Sequence, residues 1–109
     1  MVVEDDEALQ KCFKRKLMDH EVIICSDSQS AIKILNKNDI DVIFLDYNLK
    51  NGDTTEPVAE YLSYILKSEL KIFIHTGNPI AAKLLESIIK KPCIIVEKNK
   101  LIPSLEKYI

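Results

Sequence analysis

The chain has 109 residues, 47% of them hydrophobic and 29% charged, and a formal net charge of -2. This is a single domain, residues 1–109, with enough apolar side chains for a core and enough charge for a soluble surface. The charge offers no general attraction to nucleic acid or to an anionic membrane. No apolar stretch is long enough to span a bilayer and no signal-peptide pattern opens the sequence, so a cytoplasmic protein is expected.

Apolar runs alternate with amphipathic stretches five times. Met1-Val2-Val3 is a short first strand that ends on Glu4-Asp5-Asp6. Either the sheet has a stunted strand here, or Met1 is not the natural start. Glu7 to Met18 carries Ala8, Leu9, Cys12, Phe13, Leu17 and Met18 at helical spacing, with Asp5 or Asp6 as N-cap. Glu21 to Cys25 is the second strand. Asp27 or Ser28 caps a helix with Ala31, Ile32, Ile34 and Leu35 on its inner face, which ends at Asn36 to Asn38. Ile40 to Leu45 is a third strand, apolar throughout, as expected where helices cover both faces of a sheet.

Tyr47 to Thr55 is the longest irregular loop, with a turn signal at Asn51-Gly52-Asp53. Pro57 suits the first turn of a third helix that runs to about Lys67. Lys71 to His75 is the fourth strand. Gly77-Asn78-Pro79 ends it and starts a helix that stops at Lys90-Lys91-Pro92. Cys93 to Glu97 is the fifth strand, and Leu101 to Ile109 a short last helix. This βαβαβαβαβα order argues for an α/β fold with a parallel sheet and right-handed crossovers. Cys12, Cys25 and Cys93 are odd in number and set in apolar surroundings, so they read as reduced, buried thiols and not as a disulfide frame or a zinc site.

Polar groups end four of the strands: Glu4-Asp5-Asp6, Asp46, Thr76 and Lys98. In a parallel sheet all C-terminal strand ends lie on one edge, where ligands bind. Acids, a hydroxyl and an ammonium gathered there can hold a divalent cation and a phosphoryl group together. Each member also has a plainer reading. The acid run suits a helix N-terminus, Asp46 a turn cap, Thr76 a β-branched strand end and Lys98 a solvated surface. Their co-occurrence favours a site for all but Asp6, which is assigned to capping. His20 and His75 lack ligand spacing and read as structural.

In order and spacing, these residues resemble the receiver domain of two-component response regulators. The match rests on Val2-Val3-Glu4-Asp5-Asp6, Val42 to Leu49, Ile74-His75-Thr76-Gly77 and Val96-Glu97-Lys98, with Thr76 lying 30 residues after Asp46 and Lys98 22 after Thr76. The resemblance implies a flavodoxin-like, doubly wound five-stranded parallel sheet in the order 2-1-3-4-5. It implies that Asp46 accepts a phosphoryl group from a histidine kinase or histidine phosphotransfer protein, and that the domain is a signalling domain and not an enzyme. Mg2+ would be held by Asp5, Asp46 and the backbone carbonyl of Asn48, with Glu4 acting through water. Lys98 would pair with the phosphoryl oxygens or with Asp46. Thr76 would hydrogen-bond the phosphoryl group, beside an open Gly77. Asn48 and Asn78 border the attacking water in such domains, or are turn asparagines here. The output domain or target is not legible, and the face of the fourth helix, fifth strand and fifth helix could form a homodimer.

Several positions depart from the family pattern. Asn99 follows Lys98 where a cis proline is usual, Ile95 replaces the usual aromatic switch, and Leu49-Lys50 replaces Met-Pro. Asn99 requires either a cis bond without proline or a different loop. A receiver that acts only as a phosphorylation-independent interaction module is the second reading. A phosphatase passing through an aspartyl phosphate needs an acid two residues after its nucleophile, and Asn48 cannot serve. With two glycines in the chain, a Gly-rich nucleotide loop is excluded.

Overall fold

The computed structural model describes residues 1–67 and 69–108. Five strands and five helices alternate: β1 (Val2–Val3), α1 (Glu7–Lys16), β2 (Ile24–Cys25), α2 (Ser28–Lys37), β3 (Val42–Leu45), α3 (Glu56–Tyr64), β4 (Lys71–Thr76), α4 (Pro79–Ile89), β5 (Ile94–Glu97) and α5 (Lys98–Tyr108). All strand pairs are parallel and the sheet order is β2-β1-β3-β4-β5, as the resemblance implies. No described helix is long and apolar enough to cross a membrane.

The apolar strands divide their side chains by parity. Val3, Ile43, Leu45, Ile72 and Ile74 pack with Ala31, Val58, Leu62, Leu85 and Ile89 of α2, α3 and α4. Val2, Phe44, Phe73 and Val96 pack with Phe13 of α1, Leu17 at its C-terminal cap, and Leu101 and Leu105 of α5. The second face is an aromatic layer, with ring centroids 5.3 Å apart for Phe13 and Phe44 and 4.9 Å for Phe44 and Phe73. A side-chain period of two gives this split directly once both faces are covered.

The caps are local chemistry. Asp6 Oδ1 accepts from the Ala8 and Leu9 N–H groups, Asp27 accepts from Ser30 N–H, and Asn78 Oδ1 accepts from Ile80 and Ala81 with Pro79 in the first turn. Asp6 is thus the cap, which leaves Asp5 to the site. Asn78 caps α4, where the sequence left open a turn asparagine or a residue bordering the attacking water. The thiols are free. Cys25 is buried, Cys12 and Cys93 are half-buried, and burial pushes Cys25 and Cys93 up to about 11.

Several expected bounds change. The first helix stops at Lys16, short of Met18, and the third strand begins at Val42, not Ile40. The second strand contributes only Ile24–Cys25, because its pairing partner β1 is itself two residues long. The third helix stops at Tyr64, short of Lys67. The last helix starts at Lys98, not Leu101, and is eleven residues long. The predicted end at Ile109 lies outside the described residues. No cis peptide occurs among the described residues, and the chain turns from β5 straight into α5, so the second alternative for Asn99 is the one realised.

Candidate functional site

The ladder sets the backbone of the site before any side chain acts. Glu4 N–H donates to the Cys25 carbonyl at 2.9 Å, and Asp46 N–H donates to the Val3 carbonyl at 3.2 Å. Val2 pairs with Phe44 and Phe44 with Phe73, so the register carried along the strands brings Glu4, Asp46 and His75 level. By parity all three belong to the face covered by α1 and α5.

Lys98 Nζ lies 2.8 Å from Asp46 Oδ2 and 3.6 Å from Glu4 Oε1. One oxygen each of Glu4, Asp5 and Asp46 falls within 4.8 Å of the others. Asp5, Asp46, Asn48, Thr76, Gly77 and Lys98 line one open cleft of about 660 Å³ at the C-terminal edge of the sheet. The four strand tips singled out from sequence are therefore brought together. Glu4 is different: it is fully buried beneath the cleft, and its Oε2 already accepts from Asp6 N–H at 3.2 Å.

Charges in this group compete. Burial drives the Asp46 carboxyl above the ordinary carboxylate range and nearby Glu4 adds to that, against the opposing Lys98 and Tyr47 N–H donors. Burial pushes Glu4 upward too, but His75, the Asp6 N–H and Lys98 outweigh it and hold Glu4 below its ordinary value. Burial would depress Lys98, and its two carboxylates overcome this and raise it. Three carboxylates this close repel one another unless a cation or proton joins them, and all-oxygen donors suit a hard divalent ion.

The segment after Asp46 is anchored at several points. Thr55, fully buried, donates its hydroxyl to the Asp46 carbonyl at 2.5 Å. Asn48 bridges antiparallel to Thr54, and a short 3-10 turn over Lys50–Gly52 closes the loop. Asn51 and Gly52 have φ of 60° and 74°, the left-handed geometry that Asn-Gly supplies at low cost. Asp53 reaches back to α2, accepting from Ser28 N–H at 2.8 Å and Ser28 Oγ at 2.9 Å. Thr76 Oγ1 accepts from Asn78 N–H at 3.2 Å.

Sequence reading missed three contributors. Thr55 was only the end of a loop. Lys50, also in the cleft lining, carried no signal beyond its loop position. His75 is structural as expected, yet its Nε2 lies 3.2 Å from Glu4 Oε1, which ties it to the site. The parity shared with Asp46 could have found it.

Comparison with known proteins agrees with this fold. A family model described as the cyclic-phosphate processing receiver domain matches residues 1–91. Among solved structures, the phosphorylated cyanobacterial phytochrome response regulator RcpA superposes with a TM-score of 0.74 at 20% identity, covering 98% of this chain and 89% of that one. The Salmonella typhimurium response regulator RcsB gives 0.69 at 23% identity over 97% of this chain, which spans only 54% of RcsB. The signal receiver domain of an HD domain-containing protein from Pseudomonas fluorescens gives 0.66 at 14% identity, covering 97% and 89%. These likenesses establish the fold, and the family match establishes more: the chain belongs to the cyclic-phosphate processing receiver domains, within the receiver domains of response regulators.

Proposed function

We propose that residues 1–109 form one phosphoacceptor receiver domain, in which Asp46 takes a phosphoryl group from a phosphohistidine on a histidine kinase or histidine phosphotransfer protein. The observation that carries this reading is the ion pair of Lys98 with a buried Asp46 whose neighbours are two further carboxylates. A carboxylate oxygen of Asp46 attacks phosphorus, an O–P bond forms, the N–P bond breaks, and the imidazole leaves as the neutral base after taking a proton. Bound Mg2+ would supply neutralisation of the phosphoryl oxygens. Asp5, Asp46 and the Asn48 carbonyl would hold it, with Glu4 acting through water. Lys98 swings from Asp46 to the transferred group, Thr76 hydrogen-bonds it, and Gly77 leaves room beside it.

The output follows from a shift between two states of the domain. The family's description points that output toward processing of cyclic phosphates, a link carried to this chain by the family alone. The exposed apolar residues Ile80, Leu84, Ile94 and Ile95 on α4 and β5 suit a face that meets an output partner or a second copy. The same exposure favours the second reading, a receiver that binds partners without being phosphorylated.

Incubation with Mg2+ and a small-molecule phosphodonor, read by intact mass, tests the proposal. A gain of one phosphoryl group, absent without Mg2+ and in Asp46→Asn, is expected. No gain by folded protein would leave the phosphorylation-independent reading.

A further inference from the structure

The Glu4–His75 contact is buried beneath the cleft, and no step of the proposed reaction uses it. His75 is 1% exposed and Glu4 is 0% exposed. His75 Nε2 lies 3.2 Å from Glu4 Oε1, the same oxygen that Lys98 Nζ approaches to 3.6 Å. Two donors thus converge on one carboxylate oxygen, and one of them also serves Asp46 at 2.8 Å.

The direction of the histidine bond follows from what surrounds the ring. Glu4 is an acceptor when ionised, so Nε2 carries the proton. His75 Nδ1 is buried with no partner among the described residues. A bare acceptor nitrogen tolerates that better than an unpaired N–H, so Nε2 is the ring nitrogen that donates. The ring lies tilted against Phe13, with ring centroids 5.5 Å apart.

We infer that His75 is a positioning residue: by donating to Glu4 Oε1 it satisfies the buried carboxylate and so leaves Lys98 free to pair with Asp46. Without that donor Glu4 keeps only the Asp6 N–H on Oε2, Lys98 is the cation within reach of the bare Oε1, and the 3.6 Å approach closes at the expense of the 2.8 Å one. The inference rests on the phosphoacceptor reading only for its effect on rate. The ion pair itself is measurable in the metal-free, unphosphorylated protein.

The experiment compares His75→Leu, which removes the donor, with His75→Gln, which keeps an N–H. The side-chain carboxyl ¹³C resonance of Asp46 is read at one pH in the metal-free protein of residues 1–109, with Lys98→Met as reference for an unpaired Asp46. In His75→Leu the resonance moves to the Lys98→Met position, and in His75→Gln it stays near wild type. Phosphorylation by a small-molecule donor falls about tenfold or more in the first variant, as expected for removing one preorganised charge contact, and recovers in the second. If His75→Leu does not fold, the double variant His75→Leu/Glu4→Gln removes the stranded charge with the donor. Its Asp46 resonance then matches Glu4→Gln alone. An Asp46 resonance unmoved in folded His75→Leu, a double variant at the Lys98→Met position, or equal losses in the Leu and Gln variants would overturn the inference. If wild type takes up no phosphoryl group, the phosphoacceptor reading fails while the resonance still decides the role of His75.

Discussion

Asp46 has to be both held and exposed to reaction, and separate contacts divide that work. Its carbonyl accepts from the buried Thr55 hydroxyl, its Oδ1 from the Tyr47 N–H at 2.8 Å, and its Oδ2 from Lys98. Thr55→Val keeps shape and removes the hydroxyl, so the expected loss is about 1–2 kcal/mol in urea unfolding, the usual value for a buried hydrogen bond with a partner left behind. Asp46 itself works against stability. Burial raises its carboxyl, chiefly, and Glu4 adds to the rise. At low pH the group is protonated in folded and unfolded chains alike and has no effect. As pH climbs past the ordinary carboxylate value the unfolded chain ionises first, stability is lost up to the folded value, and the deficit persists above it. Asp46→Asn should therefore melt higher than wild type at neutral pH in metal-free buffer, and the gap should vanish near pH 3. A variant that melts lower at neutral pH would show that the Lys98 pair outweighs burial.

At the scale of elements, α4 and α5 show where local sequence decides and where it yields. Helix α4 ends on Lys90 in the left-handed region, with φ of 59° and ψ of 28°. Any residue with a Cβ is strained there by about 1 kcal/mol, and glycine is not. Lys90→Gly should raise the urea midpoint by an equivalent of about 0.5–1 kcal/mol, with an unchanged slope. Helix α5 runs through Pro103, a residue that disfavours a helix interior. It is held instead by Leu101 and Leu105, both buried against the aromatic face. Strand identity was legible because five apolar runs left no other way to cover both sheet faces. Strand length was not, since β1 and β2 shorten each other through pairing that lies outside either segment. The site was legible at Asp5, Asp46, Thr76 and Lys98 because each ends an apolar run. Glu4 and His75 form a contact 71 residues apart, which only the register of three strands discloses. Asn78 looked equally suited to a turn or to the site, and its oxygen is taken up by capping α4.

For the molecule as a whole, the C-terminal edge of the sheet is where strands β1, β3 and β5 each deliver charge, while the two cores lie on the faces. Glu4 and Asp5 follow β1 and Asp46 follows β3, so a ligand joining their carboxylates holds together two strands that the short β1 ladder joins weakly. A cation bound only by the folded state stabilises it by RT ln(1 + [L]/Kd), about 2.7 kcal/mol at a hundredfold excess over Kd. The proposal that Asp5 and Asp46 supply the direct ligands then has a global consequence that needs no phosphodonor. The melting temperature should climb with Mg2+ concentration in wild type, by about 4–8 °C for each kcal/mol in a domain of this size. Asp5→Asn and Asp46→Asn should each flatten that climb. Asp6→Asn should leave it intact, because Asn keeps the side-chain oxygen that caps α1. The Asp6 control separates a defined site from diffuse attraction to an acidic edge. If all three variants flattened the climb equally, Mg2+ would be screening charge there and the assignment of Asp5 and Asp46 as ligands would fall.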